Sequence, residues 1–510
     1  MRTLFPRLDA ERRSPSRLAA LLDAAGFCIC LLGIAAAIHG NFAGRSLYVD
    51  EAMVVHSILT RSLRGLAGSP LPYNQTAPVL WLWIVKAVTM AFGSSEVALR
   101  SFSVVSYAAA LGLTAWTAKR FFGVRCPWMA AAFLANMLAF LCYANVVKPY
   151  EFEAVCVLAV LAAEGFRREG KLRWPAVAGI WIAAMLGGNP PVFFAAACLL
   201  HEGVGALRAR DRRRLVAVAG AGAAVLAVFA AYWAWWLRGT AGSDFMQDWW
   251  RNQMLSVRPP TAETFARDVR IVKRCYFETV FGARAVAVAW LLAGAVAMAW
   301  TGKARNRRLL TTPLMLALVA SAMHRFPVDL RLWVFSFPVV AILLVGLLCD
   351  AMDGRAAWPM AILMSLLVAG QFGIPRHFVR DNVYWNGEEL NPLLDYVQEH
   401  LQDGEWVYVT DRAIPGLKYH LGYDFERFGN DGRDNVIWGG DTWGKNPDLR
   451  ADADRIEAAG KCWLVLVPVV RSKTGGLWAR LERTGRIEKV FEFQGTPLYC
   501  YERFPVTATE

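Results

Sequence analysis

The chain has 510 residues, of which 56% are hydrophobic, and it carries a formal net charge of +13. Its mean hydropathy is +0.32, and only 19% of its residues are charged. These values exclude an ordinary soluble globular protein, in which charged residues are more frequent. A net charge of this size is often found in nucleic-acid-binding proteins, so the distribution of the charges along the chain matters.

The excess of basic residues lies in the first 372 residues. From Gly373 to the C-terminus there are 17 Lys and Arg against 22 Asp and Glu, a net charge of −5, which leaves +18 for the preceding part. That part also contains the long apolar runs. Basic residues between apolar runs are typical of membrane topology, so the sequence argues for a lipid bilayer and against nucleic acid as a partner.

Eleven apolar stretches are long enough, or nearly so, to cross a hydrocarbon core about 30 Å thick. They cover residues 18–39, 98–118, 127–144, 152–166, 174–188, 191–207, 214–237, 284–301, 309–323, 331–349 and 356–372. A further candidate, Ala77–Gly93, is about as long as the shortest of these and contains Lys86. The sequence therefore predicts a polytopic α-helical membrane region over residues 1–372, with about 11 transmembrane helices.

The placement of Ala77–Gly93 follows from the positive-inside rule. The basic clusters to be placed are Arg2–Arg17, Lys119–Arg125, Arg167–Arg173, Arg208–Arg214 and Lys303–Arg308. If Ala77–Gly93 crossed the membrane, the four clusters after it would lie outside. If it lies in the membrane interface, all of them lie inside. We therefore predict an interfacial helix over 77–93, a cytoplasmic N-terminus and an exterior C-terminus.

Three exterior regions are large enough to carry a site: the first loop 40–97, the loop 238–283 and the C-terminal residues 373–510. The last of these alternates helical and strand patterns, which predicts a soluble exterior α/β domain. Its predicted helices and strands are Leu390–Leu401, Glu405–Asp411, Ile414–Leu421, Cys462–Val470, Ile487–Phe493 and Pro497–Phe504. The middle, Arg427–Asp454, is rich in Gly, Asp and Asn and looks like long loops. Whether Cys462 and Cys500 pair is left open.

Charged residues at the exterior ends of the spans are the candidates for chemistry. Asp50 and Glu51 follow the first span. They fit a solvated loop or a helix capped by Asp50, or Asp50 is a general base at the membrane surface. Lys148 and Glu151 lie in a short loop with Tyr150, where the alternatives are a binding site or a snorkelling lysine and a helix cap. Arg325 and Arg331 lie in another short loop; their guanidinium groups suit a phosphate, or they anchor two spans.

Four motifs in this order resemble the GT-C superfamily of membrane glycosyltransferases, which use polyprenyl-phosphate-linked sugars. Within it, the chain is most similar to the protein O-mannosyltransferase and lipid A aminoarabinose-transferase branches. The motifs are YVDEA (Tyr48–Ala52), the stretch from Pro78 to Ser101 ending in GSSEVALRS, the loop YANVVKPYEFE (Tyr143–Glu153), and Arg331-Leu332-Trp333 through Phe337-Pro338. The family's interfacial helix lies where the charge pattern independently predicts one.

The resemblance implies transfer of a sugar from a polyprenyl-phosphate donor to a hydroxyl of a glycolipid, polysaccharide or protein acceptor, with inversion at the anomeric carbon. Asp50 is then the general base. Glu51 orients the acceptor or, with Asp50, helps to hold a divalent cation such as Mg²⁺ or Mn²⁺. The substrate-binding residues are Gln75, Lys148, Tyr150, Glu151, Arg325 and Arg331. Relatives often carry His or Lys immediately before the proline at the start of the interfacial helix. Here the run is Asn74-Gln75-Thr76-Ala77-Pro78, so that contact is either missing or replaced by Gln75. Lys148 stands where relatives often carry Arg.

The expected location is a bacterial inner (plasma) membrane, with the C-terminal domain in the periplasm or outside the cell. An endoplasmic-reticulum membrane would keep the same geometry. Two other functions remain open from the sequence. A polytopic transporter or flippase for a lipid-linked saccharide is expected to carry charges or broken helices at mid-membrane. Here the charges cluster at the exterior ends of the spans. A non-enzymatic envelope assembly protein would work through residues 373–510 and would leave Asp50 and Lys148 dispensable.

Overall fold

The computed structural model describes residues 17–68, 70–256, 261–278, 281, 285–301, 305–352, 354–371, 373–380, 388–422, 435–440, 449–467 and 471–505. All the predicted site residues lie within these ranges. The N-terminal arginines up to Arg13, Lys303, part of the predicted loop region 427–454 and the end of the predicted strand at 468–470 lie outside the described residues.

The described residues of the first part of the chain form helices joined by loops. Its helices are α1 (Arg17–Asn41), α2 (Val49–Thr60), α3 (Leu63–Gly68), α4 (Val79–Phe92), α5 (Glu96–Phe122), α6 (Pro127–Ala135), α7 (Leu138–Tyr143), α8 (Tyr150–Arg168), α9 (Trp174–Gly187), α10 (Pro191–Arg208), α11 (Arg212–Tyr232), α12 (Asp244–Trp250), α13 (Ala262–Val272), α14 (Ala285–Thr301), α15 (Arg308–Ala322), α16 (Phe337–Ala351), α17 (Ala357–Ala369) and α18 (Gly373–Arg380). A π-helical turn, Trp233–Leu237, continues α11, and a 3₁₀ helix, Leu330–Ser336, leads into α16.

Each predicted span coincides with helix in the described residues, and the protein is a polytopic α-helical chain. In the part of the chain that the structure describes, five helical stretches are long and apolar enough to cross a membrane: Arg17–Asn41, Glu96–Phe122, Arg212–Leu237, Leu330–Ala351 and Gly354–His377. Several others are apolar but shorter, among them Trp174–Gly187 and the helix over the predicted interfacial segment, Val79–Phe92. The count of eleven spans therefore stays a prediction.

The predicted span 127–144 is broken into α6 and α7 at Asn136. The side-chain amide of Asn136 donates a 2.8 Å hydrogen bond to the Val368 carbonyl, and its Oδ1 accepts one from Ile374 N at 3.0 Å. Its own carbonyl accepts from Gly373 N at 2.9 Å. A Cβ on Gly373 would collide with that carbonyl, so the close approach requires glycine. Helix α18 packs here against α1 and α7, so helical packing continues past residue 372, the predicted domain boundary.

Helices α5, α8 and α16 form the centre of the helical region. Helix α5 packs against α1, α6 and α8, and α8 packs against α9 and the 3₁₀ helix Leu330–Ser336. Most of Leu330–Ala351 is buried within the protein, whereas Arg212–Leu237 is mostly on the surface. The contact between α8 and Leu330–Ser336 joins two of the predicted exterior loops, because each of these helices begins at its loop.

The described C-terminal residues form a five-stranded sheet with helices on both faces. Its elements are α19 (Asn391–His400), β1 (Trp406–Val409), α20 (Ile414–His420), β2 (Val436–Trp438), α21 (Arg450–Ala459), β3 (Lys461–Val465), α22 (Arg471–Thr484), β4 (Gly485–Phe493) and β5 (Thr496–Arg503). The strand order is β2-β1-β3-β5-β4. Strands β1, β2 and β3 are parallel, while β5 pairs antiparallel with both β3 and β4.

Alternate residues of the central strands face two different cores, as the period of two in a strand requires. Val407 and Val465 pack with α19 and α20 on one face. Tyr408 and Leu464 pack with α21 and α22 on the other. The helices and strands predicted from sequence in this region coincide with observed ones. Cys462 and Cys500 lie on the neighbouring strands β3 and β5 as free thiols.

Two elements lie where the sequence predicts long loops. Strand β2 and the first residues of helix α21 fall within 427–454. Strand β2 has three residues between polar neighbours, which is too short for a period-two pattern, and its parallel pairing with β1 defines it. The predicted loop region is therefore partly regular structure.

Candidate functional site

Asp50 lies in the first turn of α2, the helix that follows α1. Its Oδ2 accepts a 2.9 Å hydrogen bond from Nη1 of Arg331, which lies 281 residues later in the 3₁₀ helix before α16. The two side chains are 25% and 26% exposed, so the pair is accessible to a ligand. The guanidinium carbon of Arg331 lies 4.8 Å from the centre of the Trp250 ring, a cation–π contact that fixes its orientation.

Lys148 lies next to this pair, in the loop between α7 and α8. Its Nζ donates a 2.9 Å hydrogen bond to Oε1 of Gln75, in the turn that precedes α4. Burial lowers the pKa of Lys148 to about 8; the carboxylates of Asp50 and Glu51 oppose this shift, and the charge of Arg331 adds to it. A buried ammonium with one neutral partner retains donors for an anion.

Glu51 points away from Asp50 and is 1% exposed. Its two carboxylate oxygens accept hydrogen bonds from Nε and Nη2 of Arg100 on α5, at 3.0 and 2.9 Å. They also accept from the backbone N–H of Val147 at 2.7 Å and of Tyr48 at 3.1 Å. The carboxylate thus ties the first exterior loop to α5 and to the backbone beside Lys148. Its acceptor sites are used inside the protein.

A cavity of about 760 Å³ opens beside Asp50, Lys148 and Arg331. Its polar lining consists mainly of Asp50, Gln75, Lys148, Tyr150, Glu153, Asn189, Arg325 and Arg331. The remaining lining is largely apolar and comes from α10, α11, α12 and α15, including Phe193, Phe229, Trp249, Leu316 and Val319. One end of the cavity can therefore bind a charged group, and the rest can accommodate a hydrocarbon chain.

Six of the eight predicted site residues line the cavity, and Glu51 and Glu151 do not. The reason for Glu151 is helical geometry. Tyr150 and Glu153 lie three positions apart on α8 and share its cavity face, whereas Glu151 is turned about 100° away from Tyr150. It is fully buried, and its carboxylate has no hydrogen-bond partner among the described residues.

Glu153 is a second cavity carboxylate that was not among the predicted site residues. Its Oε1 accepts a 3.1 Å hydrogen bond from Asn189 N, in the turn between α9 and α10. A Cβ on Gly188 would lie 2.7 Å from Cγ of Glu153, so this turn packs closely against α8. The spacing from Tyr150 could have identified Glu153. No sequence pattern could have identified Asn189 or Trp250 as site residues, because their contacts with Glu153 and Arg331 join residues that are distant in sequence.

The residues around Asp50 do not fit a divalent cation. The described part of the chain contains no cluster of three or more His, Cys, Asp or Glu side chains that could hold a metal ion. The side chains nearest to Asp50 include the cations Arg331 and Lys148, and the Glu51 carboxylate is occupied by Arg100. Hard divalent cations require several oxygen ligands, which this arrangement does not supply.

Comparison with solved structures identifies the architecture. Over 95% of the chain, the protein matches ArnT from Cupriavidus metallidurans bound to undecaprenyl phosphate, with a TM-score of 0.51, 14% identity and 98% of that chain covered. It also matches the Archaeoglobus fulgidus oligosaccharyltransferase in complex with Zn and sulfate, with a TM-score of 0.52, 11% identity, and 92% of this chain and 72% of that chain covered.

The chain has the GT-C fold. No protein-family model matches it, and a comparison with curated proteins finds no match. At these identities the likeness establishes the GT-C fold and does not identify a substrate. The resemblance drawn from the four sequence motifs is confirmed at the level of the fold, and those motifs supply Asp50, Lys148 and Arg331 to one cavity.

Proposed function

We propose that the protein is an integral membrane glycosyltransferase that moves a sugar from a polyprenyl-phosphate donor to an acceptor hydroxyl on the exterior face. The observation that carries the proposal is the cavity, in which two carboxylates, those of Asp50 and Glu153, and three cations lie at the polar end of a largely apolar lining. This combination suits a substrate with a phosphate between a sugar and a long hydrocarbon chain. The GT-C fold supports it.

The cations can bind and stabilise the donor's phosphate. Arg331 and Lys148 lie within the protein, and Arg325 is exposed at the rim of the same cavity. Charge-assisted hydrogen bonds to phosphate oxygens are stronger than neutral ones, and they strengthen as charge develops on a leaving phosphate. Gln75 holds the Lys148 ammonium from one side, which leaves its other donors for the phosphate.

Asp50 is the proposed general base. It accepts the proton of the acceptor hydroxyl, the oxygen forms a bond to the anomeric carbon, and the bond from that carbon to the phosphate oxygen breaks. The electron pair of the broken bond leaves with the polyprenyl phosphate. Attack opposite to the leaving group inverts the anomeric configuration. Arg331 contacts Asp50 in the resting site and is placed to share its hydrogen bonds with the phosphate as that charge grows.

The apolar lining is the proposed site of the prenyl chain. Side chains from α10, α11, α12 and α15 form it, and α11 has a mostly exposed surface that would face lipid in a bilayer. The acceptor would enter from the exterior side, which the positive-inside rule assigns to the loops that carry Asp50 and Lys148. The C. metallidurans ArnT structure, which contains undecaprenyl phosphate, supports a lipid-phosphate ligand for this fold.

The proposal is tested by incubating the purified protein with a panel of polyprenyl-phosphate sugars and candidate acceptors. We expect glycosylated acceptor and free polyprenyl phosphate in equal amounts, and loss of both in Arg331→Ala. Movement of the intact lipid-linked sugar across vesicles without its cleavage would instead favour a flippase. Absence of transfer with every donor and acceptor would count against an enzyme.

A further inference from the structure

The residues that immediately precede α2 are held on two sides by side chains from distant parts of the chain. On the side of the helical region, Arg100 donates hydrogen bonds to the carbonyls of Arg45 and Ser46, at 2.9 and 2.8 Å. On the opposite side, the partners belong to the segment that enters the C-terminal sheet. No described residue of that sheet or its helices lines the cavity.

Two adjacent glutamates make the contacts from the C-terminal side. Oε2 of Glu389 accepts a hydrogen bond from Ser46 N at 3.0 Å, and its Oε1 accepts one from Arg45 Nε at 3.3 Å. Oε2 of Glu388 accepts from Val49 N at 3.2 Å. Val49 is the first residue of α2, and Asp50 is the second.

The glutamates are themselves attached to the sheet. Glu389 N donates to the hydroxyl of Thr496, the first residue of β5, at 3.1 Å, and Thr496 is fully buried. Asn391 N, at the start of α19, donates to Ser46 Oγ at 2.9 Å. A continuous series of hydrogen bonds therefore runs from β5 through Glu389 to the residues before Asp50.

We propose that Glu388 and Glu389 are positioning residues through which the C-terminal sheet fixes the start of α2, and with it Asp50, against Arg331. The sheet then affects catalysis without touching a substrate. This inference deepens the proposed function, because it gives the C-terminal region a role in the same site. It rests on that function only for its kinetic consequence.

The protonation state of Glu388 decides which substitution keeps its hydrogen bond to Val49 N and can serve as the control for Glu388→Ala. Burial raises the pKa of Glu388 to about 7; Asp50 and Glu51 add to the shift, while the Val49 N–H and Arg412 oppose it. The neighbouring residue Glu389 is also charged, and its carboxylate is paired with the guanidinium of Arg45. Since a protonated acid still offers a carbonyl oxygen to Val49 N, Glu388→Gln preserves the contact that Glu388→Ala removes.

Hydrogen–deuterium exchange of the full-length protein tests the positioning directly. In Glu388→Ala and Glu389→Ala, amides in peptides covering residues 42–56 should exchange about 10-fold faster, since each variant loses a hydrogen bond to an ionisable acceptor. Glu388→Gln should stay close to the wild type. Glu389→Gln has one acceptor oxygen for the two donors Arg45 Nε and Ser46 N, so its exchange rate should lie between those of the wild type and Glu389→Ala. The control is Glu399→Ala, an exposed glutamate on α19.

The kinetic arm uses the transfer assay on the same variants. A displaced base should lower kcat about 10-fold to 100-fold with little change in the KM for the donor, since Lys148 and Arg331 remain. Glu388→Gln should keep kcat close to the wild-type value. Unchanged exchange over 42–56 in both alanine variants would overturn the inference, whether or not the wild type transfers sugar. Faster exchange with unchanged kcat would overturn the link to catalysis.

Discussion

Arg331 donates a 2.9 Å hydrogen bond to Asp50 across 281 residues of sequence. This contact brings the start of α2 and the 3₁₀ helix before α16 together at the polar end of the cavity. It pairs the proposed base with a cation suited to the leaving phosphate, so a change at either residue should affect both the resting site and the transition state.

Arg331→Ala should lower kcat/KM for transfer by about 10²- to 10³-fold, the range for removing one donor that stabilises a developing negative charge. Arg331→Lys should recover only part of the lost kcat/KM. A planar guanidinium can contact Asp50, the phosphate and the Trp250 ring at once, whereas a compact ammonium cannot. The measurement is steady-state kinetics with varied donor. Arg251→Ala, at an exposed arginine that does not line the cavity, is the matched control. Equal effects of Arg251→Ala and Arg331→Ala would argue against a specific role.

Glu51→Gln should destabilise the protein by about 3–5 kcal/mol, the typical result of leaving a buried charge without its partner. Arg100 would retain its charge at 1% exposure. The double variant Glu51→Gln/Arg100→Met should be less destabilised than Glu51→Gln alone, since no uncompensated charge remains. Thermal unfolding in detergent micelles measures this. Glu169→Gln, which breaks the exposed pair with Arg120, should cost at most about 1 kcal/mol. A Tm for Glu51→Gln equal to the wild-type value would contradict this role.

Donor binding should weaken as the pH rises through about 8. The folded-state pKa of Lys148 is lowered to about 8 by burial, so the ammonium is present below that pH and lost above it. The KM for the donor should therefore rise above pH 8 in the wild type. In Lys148→Arg it should stay flat, because a guanidinium keeps its proton throughout this range. The same rise in both proteins would mean that another group is responsible.

Reporter fusions after Arg120 and after Arg210 should both report the cytoplasm. The reason is that the positive-inside rule keeps the basic clusters inside only if the segment containing α4 does not cross the membrane. An exterior signal at either position would show that α4 spans. A fusion at the C-terminus should report the exterior, which would agree with the proposed position of the sheet.

Much of the site could be predicted because it is local in sequence or fixed by the bilayer. Asp50, Lys148 and Arg331 are charges at the ends of apolar spans, where the cost of burial makes an unused charge unfavourable. The helices and most strands followed from apolar periodicity. The sequence could not predict that Asp50 faces the cavity while Glu51 is buried in a salt bridge, because Arg100, which binds Glu51, lies 49 residues away. The role of Glu388 and Glu389 depends on still longer separations.

Transfer by Asp50→Asn measures the central claim most directly. The amide oxygen can still accept the hydrogen bond from Arg331, so the variant should fold and bind polyprenyl phosphate like the wild type. Transfer should fall by about 10²- to 10⁴-fold, the usual contribution of a general base. Glu153→Gln, at the other cavity carboxylate, is the matched comparison. Unimpaired transfer by a folded Asp50→Asn protein would contradict the account, and a simultaneous loss in Glu153→Gln would assign the base to Glu153.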